Sequence, residues 1–147
     1  GIAAVLAAMG AHGSHAGVQE HGCGALWNLA SDNVDNKARI AAEGGIAAVL
    51  AAMGAHGSHA GVQYRACGAL LDLAINVDNR ARIAAEGGIA AVLAAMGAHG
   101  SHAGVQYRAC GALLSLAVND DNQAQIAAEG GIAAVLAAMG AHGSHAG

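Results

Sequence analysis

Proline and phenylalanine are absent from the 147 residues, and the aromatics are limited to Trp27, Tyr64 and Tyr107. Charge is also scarce: Asp, Glu, Lys and Arg make up 11% of the chain, and the six Lys and Arg are scattered. Phosphate recognition draws on clustered Lys and Arg, so nucleic acid is not an expected partner. The formal net charge of −4 points the same way. Long hydrophobic runs are missing. The longest, around 46–53, is about eight residues, against roughly 20 for a membrane span. No basic segment precedes an apolar one, so neither a secretory leader nor a membrane anchor is expected. Without proline or a strict glycine period, a collagen helix is excluded. A hydrophobic content of 55% excludes a disordered chain, which needs low hydrophobicity and high charge.

What is present is mostly alanine and glycine, 41 and 23 residues respectively. Buried alanine removes little area from water, whereas a buried Leu, Ile or Val contributes roughly 1.5–3 kcal/mol. The core must therefore be thin, and its elements must approach closely over long contacts.

The pattern is repetitive. The 17-residue segment GIAAVLAAMGAHGSHAG occurs four times unchanged, beginning at Gly1, Gly45, Gly88 and Gly131. Between copies lies a more variable stretch, such as VQYRACGALLDLAINVDNRARIAAEG. The first such stretch is one residue longer, with the extra residue within 30–33. A period of 43 suits helical solenoids and β-propeller blades. Alanine, the best helix former, decides for helices.

Each unit divides into three helices. The first is predicted from about Asn36 to Glu43, with Asn33, Asn76 and Asn119 as N-caps whose side-chain oxygens accept orphan N–H bonds. It ends at a Gly-Gly pair suited to a left-handed residue and a sharp corner. The second is predicted from about Ile46 to Ala55, where Ile46, Val49, Leu50 and Met53 share one face. The third is predicted from about Ala60 to Ala74, with Ser58 as its N-cap and Val62, Ala66, Ala69, Leu70 and Leu73 as its stripe. No unit can bury its apolar face alone, so units must stack.

The phrases Glu43-Gly44-Gly45-Ile46-Ala47-Ala48-Val49-Leu50 and Ala25-Leu26-Trp27-Asn28-Leu29-Ala30 resemble the armadillo repeat, and the likeness covers the whole chain. It implies an all-α, right-handed α-solenoid of about three three-helix units. Residues 1–33 would hold helices two and three of a partial unit, 34–76 and 77–119 full units, and 120–147 helices one and two of another. It also implies a concave groove lined by third helices, where an Asn ladder grips an extended peptide and Trp residues one turn earlier wall its side chains. The ladder position here holds Asn28, Asp72 and Ser115. The position four residues earlier holds Gly24, Gly68 and Gly111, and Trp27 stands beside the ladder instead. Ionised Asp72 can only accept a hydrogen bond and Ser115 is short, so the even readout of a peptide backbone is altered. Tyr64 and Tyr107 stand eight residues before the ladder. The candidate peptide-binding residues are Trp27, Asn28, Tyr64, Asp72, Tyr107 and Ser115. The alternative for all six is an ordinary helix surface.

Other residues carry weaker cases. Eight of nine histidines form the pairs His12/His15, His56/His59, His99/His102 and His142/His145. No Cys or carboxylate accompanies a pair, and zinc generally takes three or four protein ligands, so no metal site or cofactor is assigned. His56 is instead expected near a helix C-terminus, where a cation favours the dipole. Ser-His adjacency brings no third group or oxyanion hole for a triad, so the chain is not expected to be an enzyme. Cys23, Cys67 and Cys110 recur at one place per unit and are expected as small core residues. Their odd number suggests a reducing, cytoplasmic compartment. Arg65 and Arg108 follow the two tyrosines and could meet an acidic partner or the chain's own carboxylates, with a solvated face as the alternative.

Two function classes follow. One is a protein- or peptide-binding scaffold. The other is a self-associating structural or engineered module with no dedicated ligand, in which copies stack end to end or exchange terminal segments as a domain-swapped oligomer. Four unchanged copies fit recent duplication and deliberate construction equally.

Overall fold

The computed structural model describes residues 1–143, which form ten helices and no strand. They are α1 (Ile2–Ala11), α2 (Ala16–Ala30), α3 (Val34–Ala42), α4 (Gly45–Ala55), α5 (Ala60–Leu73), α6 (Val77–Ala85), α7 (Gly88–Ala98), α8 (Ala103–Leu116), α9 (Asp120–Ala128) and α10 (Gly131–Ala141). The fold is all-α, and the predicted helices are met to within about two residues at each end, the usual scatter of helix boundaries.

Each short helix begins as its sequence dictates. Asn33, Asn76 and Asn119 accept the N–H of Asn36, Asn79 and Asn122 at 2.8, 3.1 and 3.1 Å. Each ends at a glycine corner. Gly44, Gly87 and Gly130 have φ of 89°, 90° and 88°, where a Cβ is disfavoured. The second glycine serves contact rather than conformation. A Cβ on Gly45 would run into the Ile40 side chain and lie 2.8 Å from its carbonyl oxygen. These paired glycines let the short and middle helices meet at 70°, 72° and 74° in successive units.

The corner between middle and long helices corrects the expected cap. Ser58 does not cap α5. His59 does, with its Nδ1 accepting the Val62 N–H at 3.1 Å, and His15 and His102 cap α2 and α8 in the same way. The reason is position: His59 is the last residue with extended backbone, φ −92° and ψ 101°, so its side chain reaches the third residue of the helix, whereas Ser58 lies one residue too early. A buried glutamine closes the same corner. Gln63 Nε2 donates to the carbonyls of Met53 and His56, both at 3.0 Å. Met53 lies in the last turn of α4, and His56 is its C-cap, whose carbonyl also accepts the His59 N–H at 3.0 Å. Gln19 and Gln106 repeat the arrangement.

Like helices pack on like. α2, α5 and α8 form one row, and α1, α4, α7 and α10 another, with the short helices set against both. The core follows the predicted stripes: Val62, Ala66, Ala69, Leu70 and Leu73 are fully buried, as are Ile46 and Val49, while Leu50 is only half-buried. Polar bonds join consecutive units. Asn79 Nδ2 donates to Lys37 O at 3.1 Å and to Leu73 O at 3.0 Å. Nε2 of His56, His99 and His142 donates to Gly13 O, Gly57 O and Gly100 O, each at 2.8 Å. The extra residue of the first unit falls where expected, in a turn with Asp32 at φ 55°.

Two glycines separate the roles. Gly87→Ala, at a left-handed corner, is expected to lower stability by about 1–2 kcal/mol. Gly54→Ala, with no neighbour within 4 Å of an added Cβ, is expected to raise it by up to about 1 kcal/mol. Urea unfolding followed by circular dichroism measures both.

Candidate functional site

The long helices α2, α5 and α8 carry all six candidate residues. The aromatic members come together. Trp27 and Tyr64 meet edge to face, with ring centroids 5.7 Å apart and planes at 71°. Interior glycines make this possible. A Cβ on Gly68 would stand 2.7 Å from three atoms of the Trp27 indole, so the ring of one unit lies against the bare backbone of the next. The same relation recurs one step later: Leu71, the counterpart of Trp27, lies 3.2 Å from a Cβ built on Gly111. Glu20 and Tyr64 similarly lie against Gly61 and Gly104. Glycine in a helix interior costs about 0.8–1 kcal/mol relative to alanine; here it accommodates the side chains of the preceding unit.

Arg108 gathers the aromatics, a role the sequence pattern did not reveal. Its guanidinium carbon lies 4.5 Å from the centroid of Trp27, 5.7 Å from that of Tyr64 and 5.3 Å from that of Tyr107. Guanidinium groups are drawn to aromatic faces by the ring quadrupole. Arg108 follows Tyr107 in sequence, but its reach to Trp27 depends on the stacking of three long helices. Tyr107 itself is 59% exposed.

The ladder positions do not act together. Asn28 is exposed and Ser115 half-buried, and neither side chain makes a hydrogen bond among the described residues. Asp72 accepts a hydrogen bond from the Ser31 hydroxyl at 2.6 Å, which ties the end of α2 to α5. The structure thus assembles Trp27, Tyr64 and Tyr107 around Arg108, and leaves Asn28, Asp72 and Ser115 as separate polar points.

Six of the eight paired histidines have structural work. His15, His59 and His102 cap helices through Nδ1, which fixes their remaining proton on Nε2. His56, His99 and His142 bridge units. His145 lies outside the described residues. Among the described residues no three His, Cys, Asp or Glu side chains gather to hold a metal ion. The three cysteines are free. Burial pushes the Cys23 and Cys67 thiols up to about 12, so neither presents the thiolate that nucleophilic chemistry requires. Burial also raises Cys110.

An apolar cleft of about 340 Å³ opens along α8, α9 and α10. Leu114, Ile132 and Leu136 on its wall are 75%, 63% and 62% exposed. Among the described residues no single helix is long and apolar enough to cross a membrane. Comparison with protein-family models, with curated proteins and with solved structures finds no match to this chain.

Gly68→Ala tests the packing of the aromatic group. The added methyl must push the Trp27 ring off α5. We expect a red shift of the emission of this single tryptophan together with about 1–3 kcal/mol of lost stability, the usual cost of overpacking. Unchanged emission would contradict the arrangement.

Proposed function

We propose that the chain is a non-enzymatic scaffold that binds an extended peptide or protein segment. In this reading it is a right-handed α-solenoid of about three armadillo-like units, and the ligand lies along a concave face lined by α2, α5 and α8. One observation carries the proposal: Trp27, Tyr64 and Tyr107, the only aromatics besides histidine in the chain, converge on that one face with Arg108 between them. Aromatic side chains and arginine dominate the binding energy of protein interfaces. Their collection on one surface of a chain otherwise built of Ala and Gly supports this reading. Trp27 and Tyr64 are half-buried and Tyr107 exposed, so each retains surface to offer. Asn28 and Ser115 keep free amide and hydroxyl groups alongside for a peptide backbone.

The test is a bead-displayed library of random, blocked decapeptides. Retention of one peptide class, saturating at one peptide per chain and lost in the Tyr64→Ala, Tyr107→Ala double variant, is the expected result. Retention unaffected by the double variant, or no retention at all, refutes it.

A second reading, a self-associating structural module, is favoured by the α10 face. Ile132, Leu136 and Met139 are exposed there, and their counterparts in α4 and α7 belong to the same 17-residue segment that stacks unit on unit. A long helix of a second copy could cover that face, as α5 covers α4. Light scattering across a hundredfold concentration range should then show a mass that rises with concentration and returns to the monomer in Leu136→Glu. A constant monomer mass excludes this reading.

A further inference from the structure

The six cationic side chains divide sharply by partner. Arg39 and Arg82 pair with Glu43 and Glu86 at 2.7 and 3.2 Å. Lys37 donates to Ala30 O at 2.7 Å, and Arg80 donates to Ala74 O at 2.7 Å. Among the described residues only Arg65 and Arg108 make neither a hydrogen bond nor an ion pair. These are the two on the long helices, at equivalent positions one unit apart.

The chain's carboxylates do not supply the missing partner. Eight of the ten lie on the short helices, at their glycine corners or in the turn at Asp32. The two on long helices are engaged: Asp72 accepts from Ser31 at 2.6 Å, and Glu20 lies 3.9 Å from His59 Nε2. An acidic protein has thus placed its two uncommitted guanidinium groups on the long helices, Arg108 among the converging aromatics and Arg65 against the bare backbone of α2 at Gly24. Arg108 is further prepared. Its Nε is buried without a partner, and the rings of Trp27, Tyr64 and Tyr107 surround its guanidinium. A guanidinium held over aromatic rings is partly stripped of water and fixed in orientation, while its outer nitrogens can still form paired bonds to a carboxylate.

We infer that Arg65 and Arg108 select the ligand of this face, and that the ligand is an acidic peptide segment whose Asp or Glu side chains bind the two guanidinium groups. This rests on the peptide-binding reading above. Packed helices lie about 8–10 Å apart, and an extended chain advances about 3.3–3.4 Å per residue. The two acidic residues are therefore two or three positions apart. Arg108 takes its carboxylate against Trp27, so binding alters the surroundings of the single indole.

The experiment uses the full chain and the same blocked decapeptide library, followed by titration of Trp27 emission with three synthetic versions of a retained peptide: as selected, with Gln and Asn replacing Glu and Asp, and with Lys replacing them. Retained peptides should carry at least two acidic residues. The amide version should bind about tenfold more weakly or worse, as expected for loss of charged hydrogen bonds, and the Lys version should not bind measurably. Arg108→Gln should remove most of the preference for the acidic over the amide version, whereas Arg108→Lys should retain part of it. Far-ultraviolet circular dichroism confirms that both variants keep their helices. If peptides are retained without acidic enrichment, or if Arg65→Gln and Arg108→Gln leave the preference intact, the inference fails while the peptide-binding reading stands. If no peptide is retained, both fail. If single-stranded poly(dT) changes Trp27 emission as strongly as the acidic peptide, the site answers to polyanions and the inference fails.

Discussion

Every unit of this protein is held at its corners by side chains that bond the carbonyl groups where its helices end. A chain of alanine and glycine buries little apolar area, so it has small reserves against unpaired buried polar groups, each costing about 1–3 kcal/mol. The buried amides of Gln19, Gln63 and Gln106 each take two carbonyls at the end of a middle helix. Asn79 and Asn122 each join the end of a long helix to a carbonyl of the preceding unit. Lys37, Arg80 and Gln123, at one position of successive short helices, close a further carbonyl of the long helix before them. Hydrogen bonding at the corners thus supplies specificity that a thin alanine core does not.

Close approach is the second consequence of that composition. Glycine in a long helix weakens it, yet the cost is offset where a neighbour occupies the space. Trp27 lies on Gly68, Tyr64 on Gly104 and Leu71 on Gly111. The stacking of one unit on the next and the display of aromatics are therefore one arrangement. The ring that anchors two units together is also the ring a ligand would touch. Arg108, which spans from α8 back to Trp27, extends that link across three long helices.

The helices and their order were legible in the sequence because they rest on local chemistry. An Asn cap, an apolar stripe of period 3.6 and a Gly-Gly corner act over a few residues, and each recurs at fixed spacing. The turn before each long helix was misread for a local reason too: Ser58 has better capping chemistry, but His59 occupies the capping position. Gln63 escaped notice because a lone glutamine between two apolar residues shows nothing until the end of α4 is brought against it. The candidate face was legible in part. Its aromatic residues stood out by rarity, whereas their contact with Arg108 joins residues 81 positions apart in sequence.

By itself the sequence determined the all-helical composition, the three-helix unit and the identity of the buried stripes, since helix propensity and periodicity are properties of short segments. Tertiary structure alone decided which side chains find partners across units. Arg39 and Arg108 are equally charged in the sequence. Arg39 has a glutamate one helical turn away, so its pairing is local. Arg108 has only the rings brought to it by stacked helices, and that separation of charge from counter-charge exists only in three dimensions.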